Sequence, residues 1–382
     1  MIVLKQLISY IFYLGETMKI GILNETDSVE KRVSIVPESI KLLAKNGHEI
    51  FFQTNCGKSA GFPDEEYTNA GAKLIDDDLK KIELLILLNC PKKNIINNLN
   101  KETVVIAQFN SNKNTEIVDQ LKNNNNTLLA MELVPRIARA QKMDVLSSQA
   151  SIAGYKAALI AANNLGKYLP MMMTAAGTIP PSKVLVIGAG VAGLQAIATS
   201  KRLGANVEAF DVRDAAAEQV ESLGAKFLKQ ESLGDAEDKG GYAREQTDDE
   251  KLLQKEFIKS NLTNIDALIT TAAIPGKKAP IIITKDMVEN MKPGSVIIDL
   301  SAESGGNVEL TKPGEIINHN NVSIHGPINV PSSMAFHASQ LYSRNVMGLL
   351  DLIVNENKEI ELDLEDEIIK STCINFSGKA SD

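Results

Sequence analysis

Val184-Leu-Val-Ile-Gly-Ala-Gly-Val-Ala-Gly193, followed downstream by Phe210-Asp211, decides the fold of this chain. The spacing reads as a strand, a glycine turn, a helix and a second strand that ends on a carboxylate. Gly188 permits the reversal from strand to helix, and Gly190 lacks the Cβ that would block a pyrophosphate. Gly193 lets the helix sit close to the sheet, and the helix N-terminus faces the phosphates. Asp211 follows Gly193 by 18 residues, near the spacing of an acceptor for ribose hydroxyls. A lone Gly-x-Gly-x-x-Gly is a weak signal. Here an apolar strand precedes it, the amphipathic stretch Leu194 to Leu203 follows it, and an acid stands where the second strand ends. The pattern predicts a dinucleotide site; the alternative is a turn that needs glycine for structural reasons alone.

At 382 residues the chain is long enough for two domains, each with its own core. A formal charge of −8 argues against a nucleic-acid surface, which would cluster Lys and Arg. Cys56, Cys90 and Cys373 are far apart and form neither a metal-spaced pair nor a disulfide framework, so a reducing compartment is the plain reading. No His-x-x-x-His, His-Glu-x-x-His or Cys/His cluster predicts a metal. Ile2 to Leu14 is largely apolar but too short to span a bilayer, and Met18-Lys-Ile-Gly-Ile-Leu23 reads as a fresh start. Residues 1–17 are therefore read as an upstream extension or a misassigned start, on a soluble protein.

After Met18, short apolar runs alternate with helical segments, the signature of βαβ units. Strands are expected at Lys19 to Leu23, Glu49 to Gln53, Leu84 to Leu88, Thr103 to Ala107 and Thr127 to Met131, and helices at Pro37 to Lys45 and Asn114 to Asn123. Met143 to Asn164 reads as one long helix able to connect two domains. Beyond Asp211 come a helix from Ala215 to Leu223, a strand from Ala225 to Leu228, and strands at Ala267 to Thr271 and Val296 to Leu300. The polar run Glu231 to Glu250 reads as a solvated loop of the kind that forms lids. Ser332 to Val354 is expected as a long helix returning to the first domain. The prediction is two Rossmann-like α/β domains with parallel sheets and a nucleotide cleft between them. The first takes residues 18–142 with 331–382, and the second, NAD-binding, takes 143–330.

A dehydrogenase acting on an alcohol or amine must also move a proton. His48, His319, His325 and His337 each read more naturally as ordinary surface or core residues than as catalysts. The polar constellation is Pro135-Arg-Ile-Ala-Arg-Ala-Gln-Lys-Met-Asp-Val-Leu-Ser-Ser-Gln149, which places Arg136, Arg139, Gln141 and Asp144 at the junction of the domains. One reading puts these groups at the nicotinamide. The other makes the segment a helix start, with Asp144 capping, Arg136 paired to a surface acid and Gln141 solvated. Spacing alone slightly favours the second.

Met131-Glu-Leu-Val-Pro-Arg-Ile-Ala-Arg-Ala-Gln-Lys-Met-Asp-Val-Leu-Ser-Ser-Gln149 closely resembles the soluble NAD(H)-binding alpha subunits, or domain I, of proton-translocating NAD(P) transhydrogenases. So do Thr174-Ala-Ala-Gly-Thr178, Glu218-Gln-Val-Glu-Ser-Leu-Gly224, Gly240-Gly-Tyr-Ala243, Ile274-Pro-Gly-Lys277 and Lys292-Pro-Gly-Ser-Val-Ile-Ile-Asp299. The resemblance implies that Arg136, Ile137, Ala138, Arg139, Gln141, Asp144 and Ser147 hold the nicotinamide end of NAD(H), with Arg136, Gln141 and Asp144 catalytic. Gly188, Gly190, Val191, Gly193, Asp211, Val212 and Arg213 would contact the pyrophosphate and adenosine. Gly241 and Tyr242 would belong to a loop that closes over the nucleotide. It further implies a homodimer and separate membrane-spanning and NADP(H)-binding partner subunits. Through them the chain would sit on the cytoplasmic face of the inner membrane.

The alanine dehydrogenases share both domains and the Arg32-Val-Ser-Ile-Val-Pro37 opening. They resemble enzymes with a Lys before a Pro at one strand end and a His after the next strand. Here those neighbourhoods read Leu87-Leu-Asn-Cys-Pro91 and Ala107-Gln-Phe-Asn-Ser111, without the Lys or the His. Direct hydride transfer between two nicotinamides requires neither group. The reading is therefore a transhydrogenase subunit in which binding geometry supplies the rate. An alanine-type amino-acid dehydrogenase and a non-catalytic NAD-binding module are its rivals. Asp211 should disfavour a 2′-phosphate, with Arg213 opposing that preference.

Overall fold

The computed structural model of the chain describes residues 10–11, 17–75, 78–230, 247–273 and 278–377. They fall into two compact units, Met1–Gln149 with Ser332–Asp382, and Ala150–Pro331. The boundary lies inside the continuous Val145–Asn164 helix. Both units are Rossmann-like α/β domains built on seven-stranded, mostly parallel sheets.

In the first unit the strand order is Cys373–Asn375, Thr127–Ala130, Val104–Gln108, Leu84–Asn89, Lys19–Ile22, Glu49–Phe52 and Lys73–Leu74. All pairs are parallel except that of the Cys373–Asn375 edge. A parallel strand in mid-sheet is covered on both faces, which is why Leu84 to Leu88 is an unbroken apolar run. Its side chains alternate as strand geometry requires. Leu84, Ile86 and Leu88 enter one core layer, while Leu85 and Leu87 enter the other.

The second unit repeats this plan. Its order is Lys226–Phe227, Asn206–Phe210, Lys183–Ile187, Ala267–Thr270, Val296–Asp299, Val322–His325 and Ile316–His319, the last strand antiparallel. Val184 and Val186 face one core layer, Leu185 and Ile187 the other. Lys183–Ile187 is flanked by the next strand in sequence on one side and by a later strand on the other. The order therefore reverses at the end of this strand, the position at which open α/β sheets bind ligands.

One local feature departs from the sequence reading, and two more add to it. The polar stretch does not run as loop to Glu250, because Thr247 caps a helix over Asp248–Leu262. The Thr247 side chain accepts the Glu250 backbone N–H while the Glu250 carboxylate accepts the Thr247 N–H at 2.8 Å. The run around His319 forms a two-stranded hairpin, turning through Asn320 and Asn321 at φ 49° and 59°. Tyr10–Ile11, within the segment read as an extension, pairs antiparallel with Glu361–Leu362. Gly241, Tyr242 and the Ile274-Pro-Gly-Lys277 motif lie outside the described residues.

Candidate functional site

In the second unit the chain leaves the Lys183–Ile187 strand through Gly188, at φ 92°, and enters the Val191–Arg202 helix with Gly190 at its N-cap. A Cβ on Gly188 would lie 2.6 Å from the Thr271 hydroxyl, and one on Gly193 only 1.8 Å from the Gly188 carbonyl oxygen. Those two glycines are demanded by the fold itself. Gly190 is different: a Cβ there would meet nothing within 4 Å. The fold does not require glycine at this position, but an anion approaching the free N–H groups of the first helical turn does. Val191, beside it, is exposed. The turn thus fits a pyrophosphate.

Asp211 ends the neighbouring strand and is already engaged. Its Oδ2 accepts the Ala189 N–H (2.7 Å) and Arg213 Nη2 (2.8 Å), and its Oδ1 accepts the Arg213 N–H (2.9 Å) and Nε (2.8 Å). A carboxylate has about four acceptor sites, and all are used. Burial pushes this carboxyl up, but the Arg213 guanidinium and the two backbone N–H groups outweigh burial and hold it below the ordinary value. Asp211 therefore clamps the glycine turn, and Arg213 is tied to it. A ribose hydroxyl reaching Asp211 has to displace one of the Arg213 bonds. Val212 between them is half-buried.

In the first unit, Pro135 to Gln149 folds as a 3₁₀ turn over Ala138–Met143, a break at Asp144, and the start of the Val145–Asn164 helix. Ala140, Met143 and Val145 anchor it in the core. Arg136, Ala138, Arg139 and Gln141 are exposed, and Ile137 is half-buried. Asp144 caps the helix, accepting both the backbone N–H of Ser147 (2.8 Å) and its hydroxyl. Arg139 turns to Asp366 at 2.7 Å.

Sequence reasoning missed a cluster at the C-terminal ends of the first sheet. The Glu30 carboxylate takes Arg32 through Nε (2.8 Å) and Nη2 (2.7 Å), with both side chains buried. Arg32 Nη1 donates to Gln149 Oε1 (2.9 Å). Glu25 accepts the N–H groups of Leu88 (2.7 Å) and Asn89 (2.8 Å), and burial raises its carboxyl to about 7. Glu132 likewise accepts the Phe109 and Asn110 N–H groups, and burial raises it too. The only local signal was acids placed just beyond strand ends. The strand ends themselves present amides: Asn89 Nδ2 donates to Glu30 (3.3 Å) and Gln108 Nε2 to the Leu88 carbonyl (3.2 Å).

The histidines sit outside these clusters. His319 meets Glu289 (2.9 Å), His325 meets Ser323 (2.9 Å), and His337 packs edge-on against Phe336. Burial pushes the His48 and His325 rings down. Burial also raises the Cys56, Cys90 and Cys373 thiols to about 12, 11 and 11, unsuited to nucleophilic work. Among the described residues, no helix is long and apolar enough to cross a membrane.

Residues 21–153 match the family described as "Alanine dehydrogenase/PNT, N-terminal domain", and residues 157–382 match "Alanine dehydrogenase/PNT, C-terminal domain". The chain is 42% identical to the NAD(P) transhydrogenase subunit alpha of Cereibacter sphaeroides over 368 residues, covering 94% of this chain and 70% of that one. It is 28% identical to an alanine dehydrogenase of Staphylococcus epidermidis over 326 residues, covering 82% of this chain and 80% of the other. The crystal structure of transhydrogenase from Sinorhizobium meliloti superimposes with a TM-score of 0.86 at 40% identity, covering 95% of this chain and 100% of that chain.

Proposed function

This chain belongs to the alanine dehydrogenase/PNT family, on the side of the NAD(P) transhydrogenase alpha subunits, and from that premise we propose how it works. It is the NAD(H)-binding alpha subunit of a proton-translocating NAD(P) transhydrogenase. Hydride passes directly between its NAD(H) and NADP(H) held by a partner subunit. The observation that carries this reading over an amino-acid dehydrogenase is the chemistry of the first sheet's strand ends. Asn89 and the Gln108-Phe109-Asn110 run replace the Lys and the His that the alanine-dehydrogenase pattern implies at these strand ends, and the buried Glu25 beside them, raised to about 7, is engaged by the Leu88 and Asn89 N–H groups. The nearby guanidinium of Arg32 is neutralised by Glu30.

When bound, the nicotinamide supplies the hydride; the residues of the chain supply placement. Gly188, Gly190, Val191 and Gly193 hold the pyrophosphate, with Asp211, Val212 and Arg213 on the adenosine side. Arg136, Ile137, Ala138, Arg139, Gln141, Asp144 and Ser147 hold the nicotinamide end; Gly241 and Tyr242, outside the described residues, are assigned to the nucleotide by the resemblance of their motif. Rate comes from fixing one ring at near-attack distance from another. Self-association through the Met172–Thr174 and Gly177–Ile179 hairpin is supported by its apolar surface, with Met173 81% exposed and Met171 and Ile179 also exposed. Membrane-spanning subunits place the assembly at the cytoplasmic face.

The test is to mix the chain with an NADP(H)-binding partner subunit and NADPH and follow reduction of an NAD⁺ analogue. Pyruvate, ammonia and NADH are assayed on the chain alone in parallel. Reduction only in the mixture is expected. Turnover of pyruvate by the chain alone would favour the amino-acid dehydrogenase.

A further inference from the structure

The segment that carries Gln141 and Asp144 is exposed on one side, and its 3₁₀ turn has poorer hydrogen-bond geometry than an α-helix. Ala140, Met143 and Val145 hold it against the core and Arg139 pairs with Asp366, but apolar packing is non-directional and the pair lies ahead of Gln141, so neither sets the geometry of the break at Asp144. The Asp144–Ser147 bonds are local and shape the helix cap without locating it. Lys142 pairs with Asp351 at 3.0 Å, but both side chains are more than half exposed, so the pair fixes little.

One buried side chain does span the break. Asn345 lies on the Ala335–Ile353 helix and is 7% exposed. Its Nδ2 donates to the Lys142 carbonyl (2.8 Å), on the near side of Asp144, and its Oδ1 accepts the Ser148 hydroxyl (2.7 Å), on the far side. One amide therefore ties the end of the 3₁₀ turn and the first turn of the helix to the same fixed point. Asp144 lies between the two ties, and Gln141 is the residue immediately before Lys142.

We propose that Asn345 is a positioning residue for hydride transfer, holding Gln141 and Asp144 in register without touching the nucleotide; this rests on the transhydrogenase reading above. Misplacement of a reacting group by about 1 Å costs on the order of a hundredfold in rate. Loss of this bracket should act on the chemical step, while the pyrophosphate turn of the second unit keeps most of the nucleotide affinity.

The test uses the full chain mixed with its NADP(H)-binding partner subunit. Asn345→Leu, of similar size, removes both ties. Asn345→Asp keeps the acceptor for Ser148 but sets a carboxylate oxygen against the Lys142 carbonyl, so urea unfolding first checks that each variant is folded. The readouts are NADH Kd by fluorescence titration and single-turnover hydride transfer at saturating NADH. We expect Kd to stay within about threefold of the parent while transfer slows by about ten- to a hundredfold in both variants. Combined with Gln141→Asn, Asn345→Leu should be non-additive, because both act on one arrangement. Unchanged transfer in folded variants, Kd and rate weakened in equal measure, or full additivity would overturn the proposal. Transfer by the parent is measured alongside. Its absence would remove the transhydrogenase reading and this one with it, whereas a normal parent with unaltered variants removes only the role of Asn345.

Discussion

Replacing Gly190 with alanine puts a methyl group over the first turn of the Val191–Arg202 helix. Gly190 has φ −75° and ψ −169°, backbone open to any residue, and its added Cβ meets nothing within 4 Å. Ala is a poorer helix cap than Gly, so unfolding free energy should change by less than about 1 kcal/mol. The effect on the ligand is larger. A pyrophosphate held off the turn loses at least one charge-assisted hydrogen bond, worth about 1.5–3 kcal/mol. At about 1.4 kcal/mol per decade, that raises the NADH Kd by roughly 10- to 150-fold. Gly193→Ala is the contrasting control. Its Cβ would lie 1.8 Å from the Gly188 carbonyl oxygen, a backbone atom, so the turn or the helix must move. A destabilisation of about 3 kcal/mol is expected. Urea unfolding followed by circular dichroism measures the first quantity, and NADH fluorescence titration the second. Parental NADH affinity in Gly190→Ala, or a stability loss in it matching that of Gly193→Ala, would refute the reasoning.

Three further outcomes are expected. Gln141→Asn should leave NADH affinity within about threefold of the parent and slow single-turnover hydride transfer by about tenfold or more, because only the nicotinamide end is disturbed; weaker binding at an unchanged transfer rate would contradict this. Tyr242→Ala should raise the NADH Kd without lowering thermal stability, and coincident titrations of variant and parent would remove Tyr242 from the site. Glu25 should make stability fall as pH rises. Burial raises its carboxyl from 4.5 to about 7, so the folded state holds a proton that the unfolded state has lost. That contribution is complete below about pH 4.5 and disappears as pH rises through 7, on the order of 3 kcal/mol in all. His48, pushed down by burial, acts in the opposite sense. The difference between the parent and Glu25→Gln in urea unfolding across this window therefore isolates Glu25, and parallel pH profiles would exclude it.

The glycine turn was legible because its residues answer to backbone constraints that no other side chain satisfies: Gly188 at positive φ, Gly193 against a carbonyl. The central strands were legible for a related reason, since burial on both faces leaves only apolar residues from Leu84 to Leu88. Two local signals were present and passed over. Thr247 and Glu250 form a capping box at the end of a polar run, and Asn320-Asn321 supplies the positive φ that a tight hairpin needs. The exposed Met172–Ile179 hairpin shows no alternation of burial, so period alone could not reveal it. The least legible features are long-range pairings. Nothing in the Arg136 to Gln149 segment shows that Arg139 meets Asp366 or that Asn345 brackets Asp144. Likewise, the Arg213 that follows Asp211 does not by its position show whether it stands free or is bound to that carboxylate.

The central claim is that hydride passes from ring to ring with no exchangeable proton in between. NADH deuterated at its transferable C4 position, incubated with the chain, its NADP(H)-binding partner subunit and NADP⁺ in ordinary water, tests it most directly. Mass spectrometry of the NADPH formed should find the deuterium retained in full. Hydrogen from solvent at that carbon, or deuterium delivered instead to an added keto acid, would contradict the account.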